Sequence, residues 1–163
     1  MTKKILTIVL LIVMFASGFS QTEKGARIIS IQGNVQFDKE TSKIFSSSNG
    51  IKAGAQWLIK DNLAFGGTLL SSLPGARHYS LEAGPVIRQY FNKLDIKPYL
   101  EVALGMDYRS YHSHDEYEPF LKPGAGLIYW FHKNIGIDTN LNFDLISSPA
   151  EVHWNFGVNV SFF

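Results

Sequence analysis

Cysteine is absent from the chain, which excludes a disulfide framework and any zinc–thiolate site, and also a lipid anchor attached through cysteine. An excess of either charge is missing too. Lys plus Arg is 15 and Asp plus Glu is 14, so nothing draws the protein to nucleic acid or to an anionic surface. No apolar run is long enough for a membrane helix: the longest, Ile5 to Phe15, is interrupted at Thr7, and a spanning helix needs roughly 20 residues. Helical periodicity never lasts beyond two turns after Gly25. What is abundant is aromatic and small: 12 Phe, 7 Tyr, 3 Trp and 14 Gly, a bias toward strands and tight turns.

The first twenty residues have the layout of a secretory signal peptide. Lys3 and Lys4 precede the apolar run, and Ala16-Ser17-Gly18-Phe19-Ser20 supplies small residues before Gln21. This predicts a signal peptide over residues 1–20, cleaved after Ser20, and a single domain over residues 21–163.

That domain alternates with a period of two in eight segments: Arg27 to Phe37, Ile51 to Ile59, Leu63 to Leu73, Tyr79 to Phe91, Lys97 to Arg109, Phe120 to Phe131, Ile135 to Leu145 and Val152 to Phe163. Alternation of this kind predicts half-covered strands. Connections of two lengths separate them. Lys60 to Asn62, Asn92 to Ile96 and His132 to Asn134 are short, whereas Asp38 to Gly50, Pro74 to His78, Ser110 to Pro119 and Ile146 to Glu151 are longer on average and rich in charge, Ser or Pro. Short and long connections at opposite ends predict an all-β fold, a transmembrane eight-stranded antiparallel up-and-down β-barrel. A soluble barrel with its apolar face inward is the alternative that alternation leaves open.

Aromatic placement favours the membrane. Trp57, Tyr90, Phe91, Tyr129, Trp130, Phe131, Phe162 and Phe163 fall at the short-turn end, and Phe37, Tyr79, Tyr108, Phe120, Phe143 and Trp154 at the other. Two such belts fit the two headgroup boundaries of a bilayer. By phase, Lys52, Glu82, Arg88, Glu101, Asp107, Arg109, Lys122, Asp138 and Asp144 share the face that carries most of the strand glycines. Eight strands enclose room only for side chains, so these charges are expected to pair in a lumen network that leaves no wide pore. Pro85 and Pro123 interrupt that regularity inside strands, and bulges beside Gly84 and Gly124 are expected there.

The chain resembles the small eight-stranded, porin-like outer-membrane β-barrels of Gram-negative envelopes over its whole mature length. The resembling pieces are Asp61-Asn62-Leu63-Ala64-Phe65-Gly66, Asn134-Ile135-Gly136-Ile137, Gly84-Pro85-Val86-Ile87-Arg88-Gln89-Tyr90-Phe91 and the aromatic terminal strand. The leader is similar to those of Bacteroidetes-type bacteria. The resemblance implies an outer-membrane monomer surrounded by lipids that include lipopolysaccharide, assembled by the machinery that reads a terminal Phe. Here Phe162, rather than Phe163, stays in phase with Val158 and Val160.

Catalytic signals are sparse. His78-Tyr79-Ser80 is similar to the His-x-Ser pair of outer-membrane lipid A deacylases, with Glu82 or Glu101 as a carboxylate to orient the ring, but the Asn that follows Ser in that class is Leu81 here. His112, His114, Asp115, Glu116 and Glu118 crowd one connection without a ligand spacing specific to any metal. No phosphate loop, dinucleotide glycine pattern or nucleophile elbow occurs. The reading is a non-enzymatic barrel with a structural or surface-contact role, without metal or cofactor. A narrow channel lined by Glu82, Arg88, Glu101 and Lys122 and a lipid-modifying enzyme are its alternatives.

Overall fold

The computed structural model describes residues 22–38, 49–72, 79–91, 95–111, 114–146 and 151–163. Strands form wherever the two-residue period runs: β1 (Arg27–Asp38), β2 (Asn49–Lys60), β3 (Leu63–Ser72), β4 (Tyr79–Tyr90), β5 (Ile96–Tyr111), β6 (His114–His132), β7 (Ile135–Phe143) and β8 (Glu151–Phe162). Each pairs antiparallel with the next, and β8 closes on β1 from Arg27↔Phe162 to Asp38↔Glu151. Closure leaves the barrel wall without a free edge. Two-residue turns join β2 to β3 and β6 to β7; Asn62 in the first takes the left-handed conformation, with φ of 64°, which Asn tolerates better than most residues.

The polarity is inverted relative to a protein folded in water. Ile31, Leu100, Leu104, Leu127 and Phe156 are exposed on the outer wall, while Arg88, Glu101 and Asp138 are buried inside. The soluble alternative, with the apolar face inward, is thereby excluded.

Two sequence expectations are corrected. The connection expected at Ser110 to Pro119 is mostly strand: β5 and β6 pair without a register shift from Ile96↔Tyr129 to Tyr111↔His114. Charges in it face each other across the ladder, as at Arg109↔Glu116, so its polar composition is that of a paired hairpin rather than of a loop. The bulges expected at Pro85 and Pro123 are also absent, and register shifts occur instead at Leu58/Lys60 and Trp130/His132, beside the tight turns. Proline is accommodated by interrupting the ladder rather than by inserting a residue. Pairing of β4 with β5 lapses between Ala83↔Met106 and Val86↔Ala103, and pairing of β6 with β7 begins only at Gly124↔Asn142.

At the first of these places Gly84 and Gly105 stand against each other. A Cβ on Gly84 would collide with the Leu104 carbonyl oxygen, and one on Gly105 with that of Ala83. These are backbone atoms that cannot rotate away. Gly84→Ala is therefore expected to destabilise the barrel by about 1–3 kcal/mol or more, read as a lower midpoint in urea. Gly67→Ala, whose Cβ would meet only the Gly84 carbonyl oxygen, at an ordinary 3.7 Å, is the control.

Candidate functional site: the barrel lumen and outer rim

The lumen is built in layers. At the short-turn end an apolar cluster that includes Ile28, Leu58, Tyr90, Tyr99, Ile128 and Trp130 fills the interior. Residues 22–26 fold beneath it. Thr22 donates to Asn62 Oδ1 at 2.9 Å and accepts from Lys97 Nζ at 3.1 Å, and Gly25 N donates to the Leu58 carbonyl at 2.8 Å.

Above that seal lies an ion network. Arg88 donates through Nη2 to Glu101 Oε2 at 2.6 Å and through Nη1 to Asp138 Oδ2 at 3.1 Å. Its guanidinium sits 3.9 Å from the centroid of the Tyr99 ring. Tyr99 donates to Asp138 Oδ1 at 2.6 Å, and Gln32 and Asn159 donate to Asp138 Oδ2 at 2.9 and 2.8 Å. The other oxygen of Glu101 accepts from Asn140 and Asn142 at 2.8 and 2.9 Å and lies 3.5 Å from Lys52 Nζ. A layer of amides follows, with Asn155 donating to Asn140 and Asn142 and accepting from Asn34. Nearer the outer mouth Lys122 binds Glu82 at 2.6 Å and lies 3.8 Å from Asp144. At the rim Arg109 binds Asp107 at 2.6 Å and reaches Glu118 at 3.5 Å.

All nine charges assigned to the lumen by phase thus take part in ion pairs on the inward side. A cavity bounded by Lys52, Glu82, Phe120, Lys122 and His153 measures about 20 Å³, room for about one water. Among the described residues no groups suited to hold a metal ion come together.

Three aromatic assignments are corrected: Tyr90, Trp130 and Phe120 point into the barrel, at 1%, 3% and 4% exposure. The cause is parity. Tyr90 shares its face with Arg88, and Phe120 and Trp130 share theirs with Lys122, so adjacent aromatics such as Tyr90 and Phe91 cannot both face outward. Trp57, Phe91, Tyr129, Phe131 and Phe163 are exposed at the short-turn end, and Tyr79, Phe143 and Trp154 at the other. Phe162 and Tyr108 are partly covered. The Phe37 side chain lies outside the described residues.

Of the catalytic candidates, His78 and His112 lie outside the described residues, as does the His114 side chain. Ser80 N donates to Ser72 Oγ at 2.9 Å. Glu82 and Glu101, the carboxylates considered for orienting a His78 ring, are held by Lys122 and Arg88 respectively. Asp115, Glu116 and Glu118 are exposed on the β5–β6 hairpin.

Sequence reasoning missed the apolar seal and the part played by residues 22–26. The parity signal was present for Ile28 and Leu58, which share faces with Gln32 and Lys52, but their apolar character hid them among residues for the outer wall. Tyr99 as an Asp138 ligand was likewise available by phase from Glu101.

No family model and no curated protein matches the chain. Solved structures do. The N-terminal β-barrel domain of Pseudomonas aeruginosa OprF matches with a TM-score of 0.69 at 14% identity, over 85% of this chain and 98% of that one. Neisserial surface protein A matches at 0.56 and 14% identity, over 84% and 95%. Ail, the attachment invasion locus protein of Yersinia pestis, matches at 0.51 and 19% identity, over 85% and 99%. The chain therefore has the fold of small eight-stranded outer-membrane barrels.

Proposed function

We propose that the protein is an integral outer-membrane β-barrel of a Gram-negative envelope, without catalytic activity, that acts structurally and through contacts made by its outer rim. The observation that carries this reading is the inverted polarity: a buried lattice of ions and amides inside an apolar wall is stable where the surroundings are acyl chains. Residues 1–20 serve as a cleaved secretion signal. The buried, hydrogen-bonded Thr22 supports removal upstream of it, because a leader still attached would start at the sealed mouth. Outer-membrane lipids, lipopolysaccharide among them, surround the monomer, and the assembly machinery reads its aromatic last strand. The Yersinia attachment protein, one of the similar folds and also seen with a heparin analogue, illustrates surface contact on such a scaffold.

The pore alternative is disfavoured by the apolar seal and by a lumen whose charges are already paired. The expected result is an outer-membrane band that migrates differently before and after boiling, together with a quiet planar bilayer. A soluble periplasmic band without a heat shift would overturn the membrane assignment. Discrete conductance that changes in Glu101→Gln or Lys122→Met would replace the structural role with a channel.

A further inference from the structure

Tyr79, Tyr108 and Tyr117 form a row on the outside of the barrel at its long-loop end. The ring centroids of Tyr79 and Tyr108 are 6.4 Å apart and those of Tyr108 and Tyr117 are 5.1 Å apart. Tyr117 has 68% of its surface open and Tyr79 has 48%.

Height separates Tyr117 from an ordinary interfacial anchor. Both Tyr129, at the short-turn belt, and Tyr117 belong to β6 and face outward. A rise of about 3.3 Å per residue at a tilt of about 40° places Tyr117 roughly 30 Å above Tyr129. The apolar band of such barrels is about 25 Å tall, so Tyr117 stands roughly 5 Å beyond it. The row thus climbs from the edge of the acyl region into the headgroups.

The acid that shares its face is Asp115, exposed and in the same phase of β6 as Tyr117. Glu116 and Glu118 share the phase of Lys122 and turn to the lumen side, where Glu118 meets Arg109 and Arg109 meets Asp107.

We infer that this row is a docking platform for the sugar headgroup of an outer-leaflet glycolipid, an inference that rests on the membrane reading above. A pyranose has a C–H face and a rim of hydroxyls. Aromatic ring faces take the first through weak C–H contacts, and the Asp115 carboxylate accepts from the second. Phosphate is the wrong partner for this place, because Asp115 repels it and the Arg109 guanidinium lies on the lumen side, engaged by Asp107 and Glu118. The acyl chains of the same lipid lie along the apolar wall below, at Leu104 and Met106, and hold the headgroup at high effective concentration beside the tyrosines.

The test uses the folded barrel in detergent, titrated with lipopolysaccharide carrying its core sugars and with lipid A lacking them, binding being read by native mass spectrometry. The wild type is expected to bind the core-bearing form about fivefold more tightly. Tyr108→Ala/Tyr117→Ala should bind both forms alike, and Tyr117→Phe should keep the preference. A heat-shifted band from each sample establishes that the variants are folded. Equal affinities in the wild type, a preference that survives the double replacement, or one abolished by dephosphorylating the lipid would each overturn the platform. A protein found outside the outer membrane would instead overturn the reading beneath it.

Discussion

Arg88→Ala is expected to cost the folded barrel about 3–5 kcal/mol, measured by urea unfolding in phospholipid vesicles. Arg88 faces Glu101 and Asp138 at 2.6 and 3.1 Å, and all three side chains are almost fully buried. Without the guanidinium, two carboxylates remain in one confined layer. Lys52, at 3.5 Å from Glu101, offsets one of them in part, and Asp138 is left with neutral donors from Tyr99, Gln32 and Asn159. Most of the loss comes from stranding charge rather than from the intrinsic worth of the pair. Arg88→Met combined with Glu101→Gln and Asp138→Asn should therefore recover much of it. A loss below about 1 kcal/mol for Arg88→Ala would mean that the lumen hydrates lone carboxylates as a surface does.

Val102→Arg is expected to destabilise the barrel in vesicles by about 2–4 kcal/mol. Val102 pairs with Pro123, midway along β6 between Tyr129 and Tyr117, so its outward side chain meets the centre of the bilayer. Met106→Arg, four residues nearer the outer rim on the same face, should cost only about 0–1 kcal/mol. The depth dependence carries the argument. A barrel in water would tolerate either exposed replacement within about 0.5 kcal/mol, so equal small effects at both positions would contradict membrane insertion.

Both predictions draw on information of different origin. The outward direction of Val102 and the inward direction of Arg88 follow from a two-residue period, because successive strand side chains point to opposite faces. The same rule, followed strictly, would have put Tyr90, Phe120 and Trp130 inside. Their aromatic character points to the belts instead, because residue type and phase disagree at those three positions. The polar connection between β5 and β6 misled for a related reason: cross-strand pairing of charges on a hairpin above the membrane has the composition of a loop. Which ions pair was not legible at all. Arg88 meets Asp138 from across the barrel, a contact set by strand tilt and shear rather than by spacing along the chain.

By itself, then, the sequence determined the strand count, the antiparallel meander, the sidedness of its connections and the phase of every lumen charge, because alternation and turn chemistry act over a few neighbouring residues. The tertiary structure decided what closure alone can bring together: the seal of Ile28, Leu58, Tyr90 and Trp130, the anchoring of Thr22 by Lys97, and the exchange of partners around Glu101 and Asp138. Those contacts join residues tens of positions apart, and their geometry exists only once β8 has met β1.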